Sequence, residues 1–323
     1  MPDRAASARS VLSHHTLVDT LFQLLYILGQ TKKTSLTGRG RIRPIAQRAA
    51  IRSRVSTCVH HRTAAPHPLN RLAFEFMKVA LFIPCFIDAF YPEVGIATLE
   101  LLERFGIEVD YPQEQTCCGQ PMANSGAQTE ASGTEKVFAR NFAGYDYIVG
   151  PSASCIHHVR EHLTAIEQTD EVKKVRAGAY ELVEFLHDVV GAREFPWAEF
   201  PHRVGLHNSC SALRHLKEAS VSEVAGTPFS KPLTLLKGVK GIEFVKPARP
   251  DECCGFGGTF SVTEEPVSVR MGQDKVRDHL QAGAEYIVSG DMSCLMHQQG
   301  CAERMKAEAR FIHIAQVLNG ARE

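Results

Sequence analysis

Two adjacent-cysteine pairs, each followed by glycine, constrain this chain more than any other feature: Cys117-Cys118-Gly119 and Cys253-Cys254-Gly255. A lone cysteine lies on either side of each pair, Cys85 and Cys155 around the first, Cys210 and Cys294 around the second. The intervals are 32 and 37 residues in the first set, 43 and 40 in the second. Eight of the ten cysteines therefore fall into one pattern used twice. A fold that gathers four thiols from three places must bring the chain back to one point after each excursion. Cysteines packed as small hydrophobes explain one or two such positions, not eight in register.

Between the cysteines, short apolar runs alternate with helical periodicity. Residues 79–83 read as a strand ending at Cys85, and 92–104 as an amphipathic helix closed by Gly106. A strand at 107–111 leads to the first pair, then a helix at 127–142 and a strand at 145–149 lead to Cys155. The second half repeats the order: strand 203–206 before Cys210, helical 211–218, strand 242–245 before the second pair, helix 267–281, and strand 285–289 before Cys294. Residues 179–190 read as a helix joining the copies, and 310–318 as a closing strand or helix. This alternation predicts an α/β fold of two pseudo-repeated parallel-sheet domains, 77–200 and 201–323, with helices on both faces. The cysteine motifs then sit at the carboxyl ends of strands, where such sheets bind ligands.

Charge is balanced at 36 against 36, but the balance is a cancellation. Residues 1–76 hold twelve Lys/Arg against Asp3, Asp19 and Glu75, leaving the remainder at −9. An acidic body is a poor match for nucleic acid. The first 76 residues show no sustained period and carry an Arg-rich stretch at 39–54, so they read as a disordered extension. A translation start assigned too far upstream of Met77 is the leading account; a cleaved targeting segment and a genuine arm are the alternatives. Cys58, inside it, is given no role. Residues 77–323 contain no apolar run approaching the ~18–20 residues that span a bilayer. Long cysteine spacings without a signal peptide before Met77 point to reduced, metal-bound thiolates in the cytoplasm rather than disulfides.

Thiolates select zinc, copper(I) or iron–sulfur. Structural zinc favours C-x₂₋₄-C pairs, and the chain has no C-x-x-C. Directly adjacent cysteines point in different directions, which suits a multinuclear cluster held by thiolates. Gly119, Gly255, Gly257 and Gly258 would let backbone N–H groups approach such a cluster. A vicinal disulfide or thiol switch and structural zinc stay open as alternatives. Cys301, two helical turns after Cys294, is a candidate fifth ligand, although a packed helix cysteine is the preferred reading. His207 could tune a cluster or relay protons, or be a plain loop residue. His157, His158 and His297 read as neighbours of the motif cysteines rather than ligands. Arg160 and Arg214 could meet a substrate carboxylate, their default being solvated helix charges. No glycine-rich nucleotide motif follows a strand, so neither nucleotide nor flavin is indicated.

The stretches MKVALFIPCFID, QTCCGQPMANSG, HNSCSALR, CCGFGGTFSV and GDMSCLM resemble the cysteine-rich CCG domain of iron–sulfur oxidoreductases. Heterodisulfide reductase and the iron–sulfur subunits of glycolate oxidase and anaerobic glycerol-3-phosphate dehydrogenase are in that family; the lactate-utilisation group is the most similar. The resemblance covers 77–323. It implies iron–sulfur, [4Fe–4S] first, one or two clusters per chain, on Cys85, Cys117, Cys118, Cys155, Cys210, Cys253, Cys254 and Cys294. It further implies electron transfer in a complex that oxidises L-lactate to pyruvate, with a ferredoxin-like iron–sulfur subunit and a third lactate-utilisation subunit as partners. The family pattern closes on C-x-x-C, and here Ser152 and Asp291 replace the first cysteine of that pair. Four thiols per copy suit an ordinary cubane; a non-cubane cluster with an oxygen ligand is also open. A heterodisulfide-reductase-like thiol/disulfide oxidoreductase and a zinc-stabilised scaffold are the competing functions.

Overall fold

A computed structural model of the chain describes residues 77–321; the 1–76 extension and Cys58 lie outside them. Among the described residues, two four-stranded parallel sheets share one strand order. Strands β1 (Val79–Leu81), β2 (Val109–Asp110), β3 (Tyr147–Gly150) and β4 (Ala179–Glu181) pair in the order β2-β1-β3-β4. Strands β5 (Arg203–Leu206), β6 (Glu243–Val245), β7 (Tyr286–Ser289) and β8 (Arg310–His313) pair as β6-β5-β7-β8. Register repeats as well: Val79 lies beside Tyr147, and Val204 beside Tyr286. The chain moves outward to one edge and then crosses back, so its direction reverses between β1 and β3 and again between β5 and β7. Ligands of open α/β sheets bind at such a switch point. Cys85 and Cys155 lie on its two sides in the first sheet, Cys210 and Cys294 in the second.

Twelve helices connect the strands among the described residues. They are α1 (Cys85–Phe90), α2 (Pro92–Arg104), α3 (Gln120–Asn124), α4 (Ser132–Phe142), α5 (Ala153–His157) and α6 (Asp170–Ala177), then α7 (Leu182–Glu184), α8 (Lys231–Leu236), α9 (Phe260–Thr263), α10 (Glu265–Gln281), α11 (Met292–Arg304) and α12 (Ile314–Leu318). Pro92 opens α2 at a position where a missing N–H costs nothing, and Val94, Ala97, Leu101 and Leu102 form its buried face. Wide π-type turns at His158–His162 and Ser211–His215 follow two of the lone cysteines; such turns occur often at functional sites.

The six strands expected to lead to cysteines are all present. Two further strands, β4 and β8, complete the sheets. Residues 179–190, expected as one helix, begin with β4 because the buried Glu181 carboxylate caps α7, accepting from the N–H groups of Val183 and Glu184. Residues 310–318 use both alternatives in sequence: β8, then α12, with His313 Nδ1 accepting from Ala315 N at 3.1 Å. The helix expected at 127–142 starts only at Ser132, and that expected at 211–218 is the short wide turn.

One apolar core contains Leu81 and Val149 of the first sheet together with Val204, Ile287 and Val288 of the second. Helix α12 packs on α2. Around that contact Arg104 Nε donates to Asn319 Oδ1 and Asn319 Nδ2 to Glu100 Oε2, both at 2.8 Å. A second core of Phe82, Phe138, Phe142, Ile148 and Val159 lies behind the first cysteine pair. Full burial of side chains this size stabilises by about 1.5–3 kcal/mol each. Among the described residues no helix is long and apolar enough to cross a membrane.

Candidate metal centre

The fold brings all eight motif cysteines together as two quartets. In the first, Cys85 Sγ donates to Cys117 Sγ at 3.7 Å, Cys117 is hydrogen-bonded to Cys118, and Cys118 to Cys155. In the second the chain of thiols runs Cys210–Cys253–Cys254–Cys294. Each lone cysteine comes from a strand end at the switch point, and each pair from the loop after the outer strand. Cys118, Cys254 and Cys294 are buried, whereas Cys210 is exposed, so the second quartet opens to solvent there.

The glycine after each pair is required by geometry. Gly119 and Gly255 adopt φ of +95° and +88°, a region that L side chains avoid. Their N–H groups donate to Cys117 Sγ at 3.4 Å and Cys253 Sγ at 3.3 Å. A Cβ on Gly255 would stand 2.7 Å from Ser268 O, so α10 could not come so close. Gly257 and Gly258, also at positive φ, turn the chain into α9.

These contacts charge the middle of each quartet. Hydrogen bonds from Cys118 and then Cys85, with the Gly119 N–H, pull Cys117 down to about 3. Cys210 and Cys254 pull Cys253 down to about 2 in the same way. The donors move oppositely: Cys85, Cys118, Cys210 and Cys254 are raised, first by bonding to their neighbouring thiolate and then by burial. Each quartet thus gathers soft sulfur donors around a cysteine whose thiolate is favoured, a donor set that suits a soft metal centre.

Side chains other than the motif cysteines and glycines hold the cysteine loops, and the sequence reading gave them no role. Gln115 accepts from Ile83 N at 2.7 Å and donates to Leu81 O at 3.0 Å, tying the first loop to β1. Buried Lys275 donates to Arg249 O at 2.5 Å and Pro250 O at 3.2 Å, while Asp278 accepts from Ala248 N at 2.8 Å and Arg249 N at 3.0 Å. Gln115 stands two residues before Cys117, and that closeness was the available signal. Lys275 and Asp278 gave none, because the helix pattern does not say which polar residues turn inward.

Ser152 and Asp291, each three residues before a lone cysteine, bond to each other. Ser152 Oγ donates to Asp291 Oδ1 at 2.9 Å, and Ser154 donates to the same carboxylate through Oγ and N, each at 3.1 Å. The carboxylate is committed to the contact between the repeats, which argues against its use as an oxygen ligand. Phe86, next to Cys85, and Phe256, next to Gly255, also meet there edge to face, 5.9 Å between centroids.

The remaining candidates have other occupations. Arg160 forks onto Glu184 at 3.1 and 2.6 Å and bonds Ala179 O at 2.6 Å. Arg214 is exposed and pairs with Glu223 at 3.0 Å. His157 stacks on His215 with centroids 3.8 Å apart. His158 is buried beside Cys117 and pushed down to about 4, by burial first. His297 contacts Ser268 O at 3.1 Å, and Cys301 is buried with its sulfur 3.8 Å from the His297 ring. His207 is the exception: its ring and the sulfurs of Cys254 and Cys294 offer donor atoms all within 4.8 Å of one another.

A family model described as a cysteine-rich domain (CCG) matches residues 79–160 and 204–299. Lactate utilization protein A of Geobacillus thermodenitrificans is 42% identical over 247 residues, 75% of this chain and 99% of that protein. The protein of the same name from Geobacillus kaustophilus is 43% identical over 249 residues, with the same coverage. The one from Bacillus subtilis is 38% identical over 247 residues, again 75% and 99%.

Proposed function

This chain belongs to the cysteine-rich CCG domain family, and on that footing we propose that it is an iron–sulfur electron-transfer subunit of a system that oxidises L-lactate to pyruvate. The observation that carries the cofactor is the quartet: four cysteines brought together from three places in the chain, a backbone N–H on one central sulfur, twice per molecule. The role in lactate utilisation rests on the names of relatives that align over almost their whole length with 75% of this chain. Cys85, Cys117, Cys118 and Cys155 would hold one centre, and Cys210, Cys253, Cys254 and Cys294 the other. A bound iron–sulfur centre supplies one-electron transfer; the protein contributes burial, the glycine N–H groups and an aromatic contact between the two motifs. Partners would be a ferredoxin-like iron–sulfur subunit and a third lactate-utilisation subunit, working in the cytoplasm.

Purification without oxygen, followed by iron, acid-labile sulfide and zinc analysis, tests the cofactor. Iron and sulfide are expected in equal amounts, and Cys118→Ser or Cys254→Ser should each remove about half; unchanged iron in both variants would sink the ligand assignment. Lactate-dependent reduction of the chain in the reconstituted complex tests the substrate, and a deletion strain that still grows normally on lactate would overturn it. One observation favours a second reading, structural zinc. The 3.7 Å between Cys85 and Cys117 is close to the ~3.8 Å that two sulfurs ~2.3 Å from one tetrahedral ion would show. Zinc without sulfide would select that reading. The Ser152–Asp291 bond, standing where extra cysteines would be, weighs against a thiol/disulfide oxidoreductase.

A further inference from the structure

The two quartets differ at the residue that ends their central strands. Phe82 follows β1 and His207 follows β5 at equivalent positions, Phe82 N donating to Val149 O at 2.9 Å and His207 N to Val288 O at 2.8 Å. Phe82 turns into a stack with Phe138 and Phe142, ring centroids 5.0 and 5.7 Å away. His207 is 1% exposed, and neither of its ring nitrogens has a hydrogen-bond partner. Its flanking groups are Lys275 and His279, neither of which bonds it. A fully buried imidazole with both nitrogens unpartnered is unfavourable unless something satisfies it.

The nearest chemistry that could satisfy it is the second quartet. Among the described residues, His207, Cys254 and Cys294 are the one trio of potential ligands with donor atoms mutually within 4.8 Å. The Asp291 carboxylate beside Cys294 is already taken by Ser152 and Ser154, and His297 is engaged with Ser268 O. We propose that His207 is a nitrogen ligand of the metal centre at the second quartet, making that site mixed thiolate–imidazole while the first is all thiolate. The proposal rests on the iron–sulfur reading above. Neutral imidazole taking the position of one of the four second-quartet thiolates, which then stays a free thiol, removes one negative charge and raises a cluster's potential. The second centre would then sit above the first in potential, giving electron flow between the repeats a direction.

The full chain, labelled with ¹⁵N in the imidazole rings only, separates the two readings when reduced without oxygen and studied by pulsed EPR. In a Cys118→Ser background, where only the second quartet is intact, a label-sensitive nitrogen coupling of directly bound strength is expected. Adding His207→Gln should abolish that coupling, and with it lower the potential of the remaining centre. Absence of the coupling in labelled Cys118→Ser protein, or its survival in His207→Gln, overturns the proposal while iron and sulfide content leaves the iron–sulfur reading standing. Protein without acid-labile sulfide overturns both together.

Discussion

The first repeat is lined with rings and the second, behind the same backbone, with bases. On the buried face of α4, Phe138 and Phe142 close on Phe82. On the matching face of α10, Lys275 and His279 stand behind His207, all three fully or almost fully buried. Small changes accommodate the exchange: Gly205 stands where the first repeat has Ala80, and a Cβ there would come within 2.3 Å of His279 Nδ1. Strand order and register survive this complete change of interior. Topology here is therefore set by element length, turns and apolar alternation, leaving the side chains behind each cysteine quartet free to diverge.

The largest effect separating the repeats should come from Phe138→Ala. Emptying the aromatic layer is expected to cost about 3–5 kcal/mol, read from the urea unfolding midpoint; a loss below 1 kcal/mol would mean that the layer does not support the first quartet. Next comes Glu218, buried against Glu181 at the junction of the repeats. Burial pushes Glu218 up to about 8, and raises Glu181 too. Its folded value lies above the unfolded 4.5, so its contribution is complete below that pH and is lost as pH rises through about 8. Glu218→Gln should flatten the stability profile across that window, and an unaltered profile would count against a protonated carboxyl at the junction.

His279 works in the opposite direction. Burial depresses it to about 3 from 6.5, so its contribution is complete above the unfolded value and is lost as pH falls from 6.5 toward 3. Melting curves of His279→Gln should show a shallower decline over that range, on a background that His157 and His158 also supply. Ser152→Ala should have the smallest effect. It removes one donor to a carboxylate that keeps those of Ser154 and Ser209, at a cost of about 1–2 kcal/mol. A loss as large as that of Phe138→Ala would make this contact, not the aromatic layer, the main support.

The sequence made the periodic part of the molecule legible. Strands leading to cysteines were marked twice, by apolar runs and by the motif that follows, and all six are there. β4 was hidden because Ala179-Tyr180-Glu181 is too short to show alternation before helical residues begin. The membership of each quartet could be read from spacing alone. Contacts between repeats could not: Ser152 and Asp291 are 139 residues apart, and nothing local to either implies the other. The place of His207 depends on which way one side chain turns at a strand end, a matter decided by what stands behind it.

The packing of α12 on α2 has a consequence for how the protein is made. A ribosome extends a chain at ~5–20 residues per second, so α2 waits roughly 10–40 s for the helix that covers it. Throughout that interval the first repeat, although complete in its own sequence, shows Val94, Leu101 and Leu102 without the Ile314–Leu318 helix against them. A message cut short before codon 314 would thus damage the half of the protein translated earlier, and chaperones would meet the defect far from the break.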